Sequence, residues 1–555
     1  MSLHSKGLEP IPEETRALME RLCPKGTQIS QLRDLLGPIY RDASFAHLFP
    51  KRGRGATAPW RMALVLVFQA LEGLTDRQAA EAVRTRIDWR YALSLPLDDP
   101  GFDFSILTDF RTRLIEAQAQ EVLLEEVLQI CRAQGWLAQG GHVRTDATAI
   151  VARVRALSSL ESVGESMRAA LNALAEVAPV WLRQHLDPDW FDRYVHRFEL
   201  TRFPKAESQR ALLREQVGAD VARLLGAVEA KETPEALGQV EEVALLRQIF
   251  GQHYEVEGSR VRWRDGPAVS NEERVVSPYD PEARSARKRE QVWLGYKVHL
   301  SETCDGDPGR PHLIVHVSTT AATIQDCEVL GSIGEDMRQQ DLAPAFHYVD
   351  QGYSSGEQVV EQARVGTQLI GPVGQDPSWQ ARQGQGYGKD AFVIDWHNKT
   401  ALCPQGQRNS GWTDPSPERS RETVIIRFPK KICQGCPVRE QCTRNVQGRR
   451  LTLTPEEQAT ALTARRSEQA QPEFRERYAR RAGVEGTISQ GVRTTRMRRT
   501  PYVGVKKTHL HHVCIATALN LRRIVFSLQA AEKGQPARPV RPRSPFARLQ
   551  PQEVA

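Results

Sequence analysis

The sequence has no long apolar run and no leader-like segment at its start. No stretch approaches the roughly 18 consecutive apolar residues that a membrane-spanning helix needs. The first residues, MSLHSKGLEPIPEETR, lack the apolar centre of a signal peptide. The nine cysteines are an odd number, which excludes complete internal pairing. We therefore expect a cytoplasmic protein with reduced thiols and no membrane contact.

A large charge of one sign is also missing from the chain as a whole, but not from one part of it. The net charge of the 555 residues is only +7. Residues 471–530 nevertheless hold twelve Lys or Arg and three Glu, so the remainder of the chain is slightly acidic. A local basic excess of this kind is typical of a surface that binds a polyanion.

Helical and β patterns follow one another along the chain in blocks. Up to about residue 138 the pattern is helical, with an apolar segment at 59–73 and a cap at Thr75 or Asp76 for the next helix. Ser105 is a predicted cap at the start of a long amphipathic stretch. From residue 139 there are three strands that can form a meander, then alternating helix and strand. This order predicts an α/β fold with a mixed sheet and flanking helices, preceded by an all-helical N-terminal domain.

The chain is long enough for two or three domains, and two segments interrupt its α/β part. Residues 155–285 are charged and mostly helical in pattern, whereas residues 375–455 are rich in Gly, Pro and Gln. The final segment, 531–555, is rich in Pro and Arg and predicts a disordered basic tail. The predicted organisation is a helical domain at 1–138, a domain at 139–530 with the two inserts, and the tail.

Three acidic residues occupy positions that need an explanation. Asp146 lies in the centre of a predicted strand, Asp350 at the end of another, and Glu485 inside a run of arginines. Asp350 suits a turn after its strand, and Glu485 suits a salt-bridged helix surface. If the three carboxylates meet, however, they form the hard oxygen ligand set that Mg²⁺ or Mn²⁺ selects. Both interpretations are open at this point.

The segments RTDAT, YVDQGY and YARRAGVEGTISQGVR together resemble the catalytic segments of DDE transposases encoded by bacterial insertion sequences. The helical segment RMALVLVFQALEGLTDRQAAEAVRTRIDWRYAL is similar to the N-terminal domain of InsH-type transposases. The resemblance covers most of residues 55–530 and implies an RNase H-like catalytic core. It also implies that Asp146, Asp350 and Glu485 are catalytic and hold two Mg²⁺ or Mn²⁺ ions, roughly 4 Å apart.

In a related signature, a Tyr, an Arg and a Lys accompany the glutamate. Tyr478 and Arg481 precede Glu485 by seven and four residues, which places Arg481 one helical turn away. The sequence departs from the signature on the other side, where Val492 occupies the expected basic position. The predicted DNA-binding residues are Tyr478, Arg481, Arg493, Arg496, Arg498, Arg499, Lys506 and Lys507.

The function implied by the resemblance is that of a DNA transposase. Such an enzyme binds the terminal inverted repeats of its insertion sequence, cleaves the ends and joins them to double-stranded target DNA. Two ends must be held together, so a homodimer or a higher oligomer is expected, acting on the bacterial nucleoid. Two alternatives stay open: a transposase-derived nuclease without strand transfer, and a catalytically decayed DNA-binding regulator.

Four of the cysteines form a group in the second insert. They occur in LCPQG and CQGCPVREQC, and the C-x₂-C pair is a good thiolate clamp for zinc. The distant first cysteine and the wider spacing before the last one fall outside the common finger pattern. The two interpretations are a structural Zn²⁺ site and four reduced cysteines without metal. The candidate ligands are Cys403, Cys433, Cys436 and Cys442.

Overall fold

Helices fill the N-terminal part of the chain and strands begin after it. The computed structural model of the protein describes residues 2–3, 7–53, 55–198, 203–258, 260–266, 268–307, 309–382, 384, 386–416 and 422–534. The helices are α1 (Glu13–Leu22), α2 (Gln28–Leu36), α3 (Pro59–Glu72), α4 (Asp76–Thr85), α5 (Ile87–Ala92), α6 (Ser105–Glu116), α7 (Val122–Ala133), α8 (Ser159–Val177), α9 (Pro179–His185), α10 (Asp189–Tyr194), α11 (Glu207–Val228), α12 (Glu241–His253), α13 (Asp326–Gln339), α14 (Gly356–Arg364), α15 (Trp379–Arg382), α16 (Lys430–Gln434), α17 (Arg439–Cys442), α18 (Glu456–Gln469), α19 (Pro472–Tyr478), α20 (Gly483–Thr495) and α21 (Val505–Glu532). The strands are β1 (His142–Val151), β2 (Tyr254–Glu257), β3 (Arg260–Trp263), β4 (Arg284–Lys288), β5 (Gln291–Thr303), β6 (Ile314–Ala321), β7 (Phe346–Tyr348), β8 (Gln368–Ile370), β9 (Val393–Asp395), β10 (Thr400–Leu402), β11 (Gly411–Thr413), β12 (Val424–Arg427) and β13 (Arg450–Leu453).

Two helix starts test the predicted caps. Thr75 caps α4, because its hydroxyl accepts the backbone N–H of Gln78 while the Gln78 side chain accepts the N–H of Thr75. Helix α6 begins at Ser105 as predicted, but the Ser105 side chain is not the cap. The carboxylate of Asp103 accepts the Ser105 N–H instead, at 2.9 Å. The long amphipathic stretch is also divided into α6 and α7 by a break at Gln118, whose φ is 53°.

Six strands form one mixed sheet in the order β4-β5-β1-β7-β8, and β6 pairs with β5. Strands β1, β5 and β6 form an antiparallel meander, as predicted. Strand β7 lies parallel to β1, and β8 lies parallel to β7. Helix α13 connects β6 to β7, and α14 connects β7 to β8. The predicted α/β class with a mixed sheet is therefore confirmed.

One apolar core joins the N-terminal helices to the sheet and to α21. The change from helix to strand near the predicted boundary at 138 is present, but the two parts share this core. By length and composition α21 would be able to cross a membrane. It is a core helix here, because 72% of its apolar window is buried and it packs on α3, α7 and β6.

The two inserts have separate cores. Helices α8–α12 enclose the first, next to the hairpin β2-β3. The second insert contains the sheet β11-β12-β13, the hairpin β9-β10 and a much smaller apolar core. The predicted tail begins too early, because α21 continues to Glu532; residues 535–555 of that tail lie outside the described residues.

A buried ion-pair network fixes α20 and α21 against the sheet. The carboxylate of Glu302, on β5, is fully buried and accepts from Arg144 Nε at 2.7 Å and from Arg523 Nη1 at 2.9 Å. The Thr487 hydroxyl of α20 donates to the same carboxylate. Arg144 Nη1 also donates to the Arg480 carbonyl at 2.8 Å. These bonds connect β1, β5, α20, α21 and the segment that leads into α20.

The start of α20 lies unusually close to this network. A Cβ atom placed on Gly483 would lie 1.9 Å from Arg144 Nη1. Only glycine therefore leaves room for the Arg144 guanidinium between β1 and α20. Because Glu485 is two residues further along, this close approach also sets the distance of Glu485 from β1.

We expect Glu302→Gln to destabilise the fold, because it leaves the two buried guanidinium groups without an anion. Breaking a buried pair in this way costs about 3–5 kcal/mol of unfolding free energy. Burial would raise the pKa of Glu302, but Arg523 and Arg144 outweigh it and hold the pKa below its ordinary value. The contribution is therefore present above the ordinary pKa of about 4.3 and is lost as the pH falls through the lower folded-state value.

The measurement is thermal and urea unfolding of both proteins at pH 7 and at progressively lower pH. The gap between wild type and Glu302→Gln should be large at pH 7 and should narrow in acid. Glu290→Gln, at an exposed glutamate, is the matched control and should leave stability unchanged. A gap that is absent at pH 7 would contradict the structural role of Glu302.

Candidate active site

Asp146 lies near the middle of β1, opposite Leu300 of β5. Its Oδ1 accepts the Ala147 N–H at 2.9 Å, and its Oδ2 accepts from Arg481 Nη2 at 2.8 Å. The side chain is only 13% exposed. Burial raises the pKa of Asp146, and the guanidinium of Arg481 opposes that rise. A carboxylate removed from water in this way needs a neighbouring cation to remain ionised.

Arg481 joins Asp146 to Glu485. It lies in a 3₁₀ turn, Ala479–Ala482, directly before α20, and its Nη1 donates to Glu485 Oε1 at 2.8 Å. Burial would lower the pKa of Arg481, but Asp146 and Glu485 raise it above its ordinary value. The Nε atom of Arg481 is buried without a hydrogen-bond partner. One guanidinium thus links carboxylates from two segments that are distant in sequence.

Asp350 follows β7, the strand that pairs with β1. Its Oδ1 accepts the Gly352 N–H at 2.8 Å, and its carbonyl accepts the Tyr353 N–H at 3.2 Å. The residue therefore does form the turn that one interpretation of the sequence predicts. Its carboxylate also lies close enough to raise the pKa of Asp146. The structure thus brings Asp350 to the same place as Asp146 and Arg481.

A fourth carboxylate, Asp326, belongs to this neighbourhood and was missed by the sequence analysis. It is the first residue of α13, and its Oδ1 accepts from Lys297 Nζ at 2.9 Å. A Cβ atom on Gly352 would lie 3.0 Å from both Asp326 Oδ2 and Asp350 Oδ1. The only sequence signal was an acid at the start of a predicted helix, which ordinary helix capping explains.

Asp326 lines an open cleft of about 670 Å³. Its walls include Ala147 beside Asp146, the Lys297–Asp326 pair, Lys288 at the end of β4, and Glu272 from the first insert. The cleft is mixed in charge, because Lys288 and Lys297 line it together with Glu272 and Asp326.

Two positions of the transposase signature hold partly buried residues. Tyr478 ends α19 and stacks on Phe474, with ring centroids 5.8 Å apart, and burial raises its pKa. Val492 packs against the main apolar core from α20. The departure from the expected basic residue at Val492 therefore has a packing reason, while Arg493 beside it is exposed.

The other predicted DNA-binding cations are all exposed and lie between residues 493 and 507; they are here called the basic surface. Its members are Arg493, Arg496, Arg498, Arg499, Lys506 and Lys507. The backbone in this region pairs with the end of β1, since Val151 N donates to Arg498 O at 2.8 Å and Thr500 N donates to Val151 O at 3.2 Å. In the described part of the chain, no carboxylate forms an ion pair with any member. The strand that carries Asp146 thus also anchors a surface of unpaired cations.

The donor chemistry fits a divalent metal, although the side chains are not closed around one. Among the described residues, no three or more His, Cys, Asp or Glu side chains are arranged as a ready metal site. Asp146, Asp350 and Glu485 nevertheless supply the carboxylate oxygens that Mg²⁺ and Mn²⁺ prefer. The Arg481 guanidinium, bound to both Asp146 and Glu485, stands where a cation is favourable.

The four grouped cysteines also lie together, away from the acids. They surround one cavity of about 40 Å³ in the second insert. None of them forms a disulfide, and all are partly buried. The structure therefore places the predicted zinc ligands in one cluster.

Family comparisons match two parts of the chain. A family model described as Transposase DDE domain matches residues 402–525, and one described as Transposase domain (DUF772) matches residues 17–113. The first match contains Glu485 and the basic surface but does not reach Asp146 or Asp350. Searches of curated proteins and of solved structures gave no significant match. The two matches confirm the predicted resemblance to DDE-type insertion-sequence transposases.

We expect Arg481→Met to tighten binding of Mn²⁺ to the DNA-free protein, because the guanidinium competes for the same two carboxylates. A single charge about 4 Å away in a partly buried site contributes more than about 1 kcal/mol, so the affinity should rise roughly tenfold. Free Mn²⁺ is counted by electron paramagnetic resonance during titration.

Arg480→Met is the matched control, since Arg480 contacts His142 rather than an acid, and should leave the affinity unchanged. Asp146→Asn should weaken binding in either background. Unchanged or weaker binding by Arg481→Met would show that the guanidinium does not occupy the place of the metal.

Proposed function

On the basis of the two transposase-domain matches, we propose that this protein is the DNA transposase of a bacterial insertion sequence. It binds the terminal inverted repeats of its element, cleaves at the ends and transfers the strands to target DNA. The observation that carries the proposal is the contact of Arg481 with both Asp146 and Glu485, beside Asp350 and the basic surface.

We infer an RNase H-like core for the catalytic part. The support is the topology, in which an antiparallel meander of β6, β5 and β1 continues through the parallel strands β7 and β8. Asp146 lies on β1 and Asp350 directly after β7, on neighbouring strands. Glu485 lies on α20, which packs on β1 and β5.

Asp146, Asp350 and Glu485 would hold the divalent ions, Mg²⁺ or Mn²⁺, that the family generally uses. Bound there, the metal supplies charge stabilisation for displacement at phosphorus. Carboxylates alone repel a DNA backbone, and the basic surface offsets that repulsion by binding phosphates beside the cleavage point. Contacts of this kind position the duplex without specifying its sequence. Arg481, once released from the acids, is placed to join these phosphate contacts.

The remaining parts of the proposal concern assembly. Transposition holds two ends together, so the active form is a homodimer or a higher oligomer in the bacterial cytoplasm, bound to the nucleoid. The N-terminal helices contribute to end binding or to dimerisation. They share a core with the sheet, so an end bound by them is held in a fixed relation to the acids.

We expect Asp350→Asn to abolish DNA cleavage while preserving the fold and DNA binding. Asparagine keeps an Oδ1 acceptor for the Gly352 N–H but loses the charge that would hold metal. Loss of several kcal/mol of metal-supplied stabilisation corresponds to a rate reduction on the order of 10³-fold. Cleavage is followed on a labelled duplex carrying the element's own end, with Mg²⁺ and then with EDTA.

Asp341→Asn, at an exposed position with φ of 55° that asparagine tolerates, is the matched control. Metal-dependent cuts at the duplex end that are lost only in Asp350→Asn support the proposed DNA-cleaving activity. Joining of labelled ends to a plasmid separates the transposase from a nuclease. Tight binding by wild type without any cut, including from a preformed paired-end complex, would favour the decayed regulator.

We expect Arg498→Ala to weaken binding to all duplexes alike, because phosphate contacts carry no sequence information. Loss of one contact should lower the slope of log Kd against log salt by about 0.9. Fluorescence anisotropy with the end duplex and with an unrelated duplex measures both effects. Lys231→Ala, an exposed cation on the first insert, should change neither. An unchanged slope for Arg498→Ala would remove Arg498 from the phosphate-binding residues.

A further inference from the structure

The second insert folds around very few apolar side chains. Residues 386–416 and 422–453, here called the cysteine lobe, hold two small sheets with strands of three or four residues. The buried residues of its apolar core are Phe392, Ala401, Val424, Ile426, Phe428 and Leu451, and Ile425 is buried outside that cluster. Units of this size seldom fold on such a core alone and usually add disulfides or a metal. The lobe contains no disulfide among its described residues. A bound metal ion is therefore the remaining way to stabilise its fold.

The four thiols of the lobe come from two segments that line one cavity, the turn at Cys403 and the segment 430–442. In the first turn, Gly406 N donates to Cys403 O at 2.8 Å and Gln407 N donates to Cys403 Sγ at 3.3 Å. In the second segment, Cys433 Sγ of α16 accepts the Arg449 N–H at 3.4 Å. Amide donors to sulfur favour the thiolate, which is the form that binds metal.

Cys436 and Cys442 complete the ring around the same cavity. Cys436 follows α16 and Cys442 ends α17, both opposite the turn at Cys403. The cavity volume of about 40 Å³ exceeds the roughly 10–15 Å³ that one water-sized sphere occupies. The cavity therefore has room for a single metal ion.

A buried cation beside the thiols forms no ion pair with a described carboxylate. The side chain of Arg449 is buried, and its guanidinium donates to the carbonyl groups of Cys442 at 2.9 Å and of Tyr387 at 3.3 Å. Its Nε has no partner, and within the described residues no carboxylate forms an ion pair with it. Four thiolates around Zn²⁺ carry a net charge of −2, which would neutralise this cation. With neutral thiols, the nearby anion would be the Asp376 carboxylate, which forms no ion pair with Arg449.

We propose that Cys403, Cys433, Cys436 and Cys442 bind one structural Zn²⁺ ion and that this ion holds the cysteine lobe together. All four tetrahedral positions are filled by protein, so the ion is not catalytic. The thiols line the cavity without yet forming a closed site. Binding therefore requires rotation of the cysteine side chains into the cavity and release of their protons.

The test measures zinc in the full chain purified without chelators, by plasma mass spectrometry. Wild type should contain about one zinc per chain, and Cys436→Ser should lose most of it. Cys23→Ser, at a partly buried cysteine outside the lobe, is the matched control and should keep it. Cobalt substitution should give the intense sulfur-to-metal absorption of a thiolate site in wild type and in the control only.

A second measurement covers the case in which the lobe variant fails to fold. Removal of zinc from wild type with a thiol reagent and a chelator should make the lobe sensitive to protease, and added zinc should restore its resistance. A metal content far below one zinc per chain that zinc addition does not raise would overturn the proposal. Iron in place of zinc, or equal zinc loss in Cys23→Ser, would overturn it as well.

The zinc proposal and the transposase proposal can be contradicted independently of each other. Asp350→Asn should retain full zinc while losing DNA cleavage, because the acids lie outside the lobe. A protein that holds zinc but never cleaves DNA would leave the lobe assignment intact. A cleaving enzyme without zinc would overturn only the lobe assignment.

Discussion

The buried carboxylate of Glu302 is the constraint on which the candidate site depends. Removing a charge from water costs several kcal/mol, so a fully buried carboxylate stays ionised only if cations meet it. Arg144 of β1 and Arg523 of α21 do so, and Thr487 of α20 donates to the same group. Few arrangements of these elements satisfy all of these partners at once. The position of α20, and with it that of Glu485, therefore depends on a buried charge on β5.

The two interpretations of Glu485 are parts of one arrangement. The surface ion pair exists, because Arg481 and Glu485 meet at the i, i+4 spacing of a helical turn. The same guanidinium also holds Asp146 on β1, which a simple helix-surface pair would not do. An exposed pair contributes about 0–1 kcal/mol, and the Glu485 side chain is 64% exposed. Glu485 can therefore exchange its partner at little cost, whereas the buried Asp146 needs a cation at all times.

Features set by neighbouring residues could be predicted from the sequence, and features set by distant packing could not. The apolar helix α3, the cap at Thr75 and the strand around Asp146 each follow from a local pattern. The break at Gln118 requires a left-handed backbone at a residue with no strong preference for it. The burial of Glu302 and the approach of Asp326 to Asp350 depend on segments that meet only in the folded chain. A pattern within one segment carries no information on such contacts between distant segments.

The placement of the inserts explains how a small sheet supports a long chain. Each insert leaves the main fold between two elements and buries its own apolar core, so the main core does not depend on either. The neck of the second insert is closed by Gln469 of α18, whose side chain accepts from Val373 N at 2.9 Å and donates to Val373 O at 3.3 Å. Helix α18 also packs on α14, which follows the Asp350 turn. Both ends of the insert are fixed to the side of the sheet that carries Asp350. The base of the cysteine lobe is therefore held at a fixed position relative to the acids. Under the proposed function, a duplex held at the acids would therefore lie at a fixed position relative to the base of the lobe.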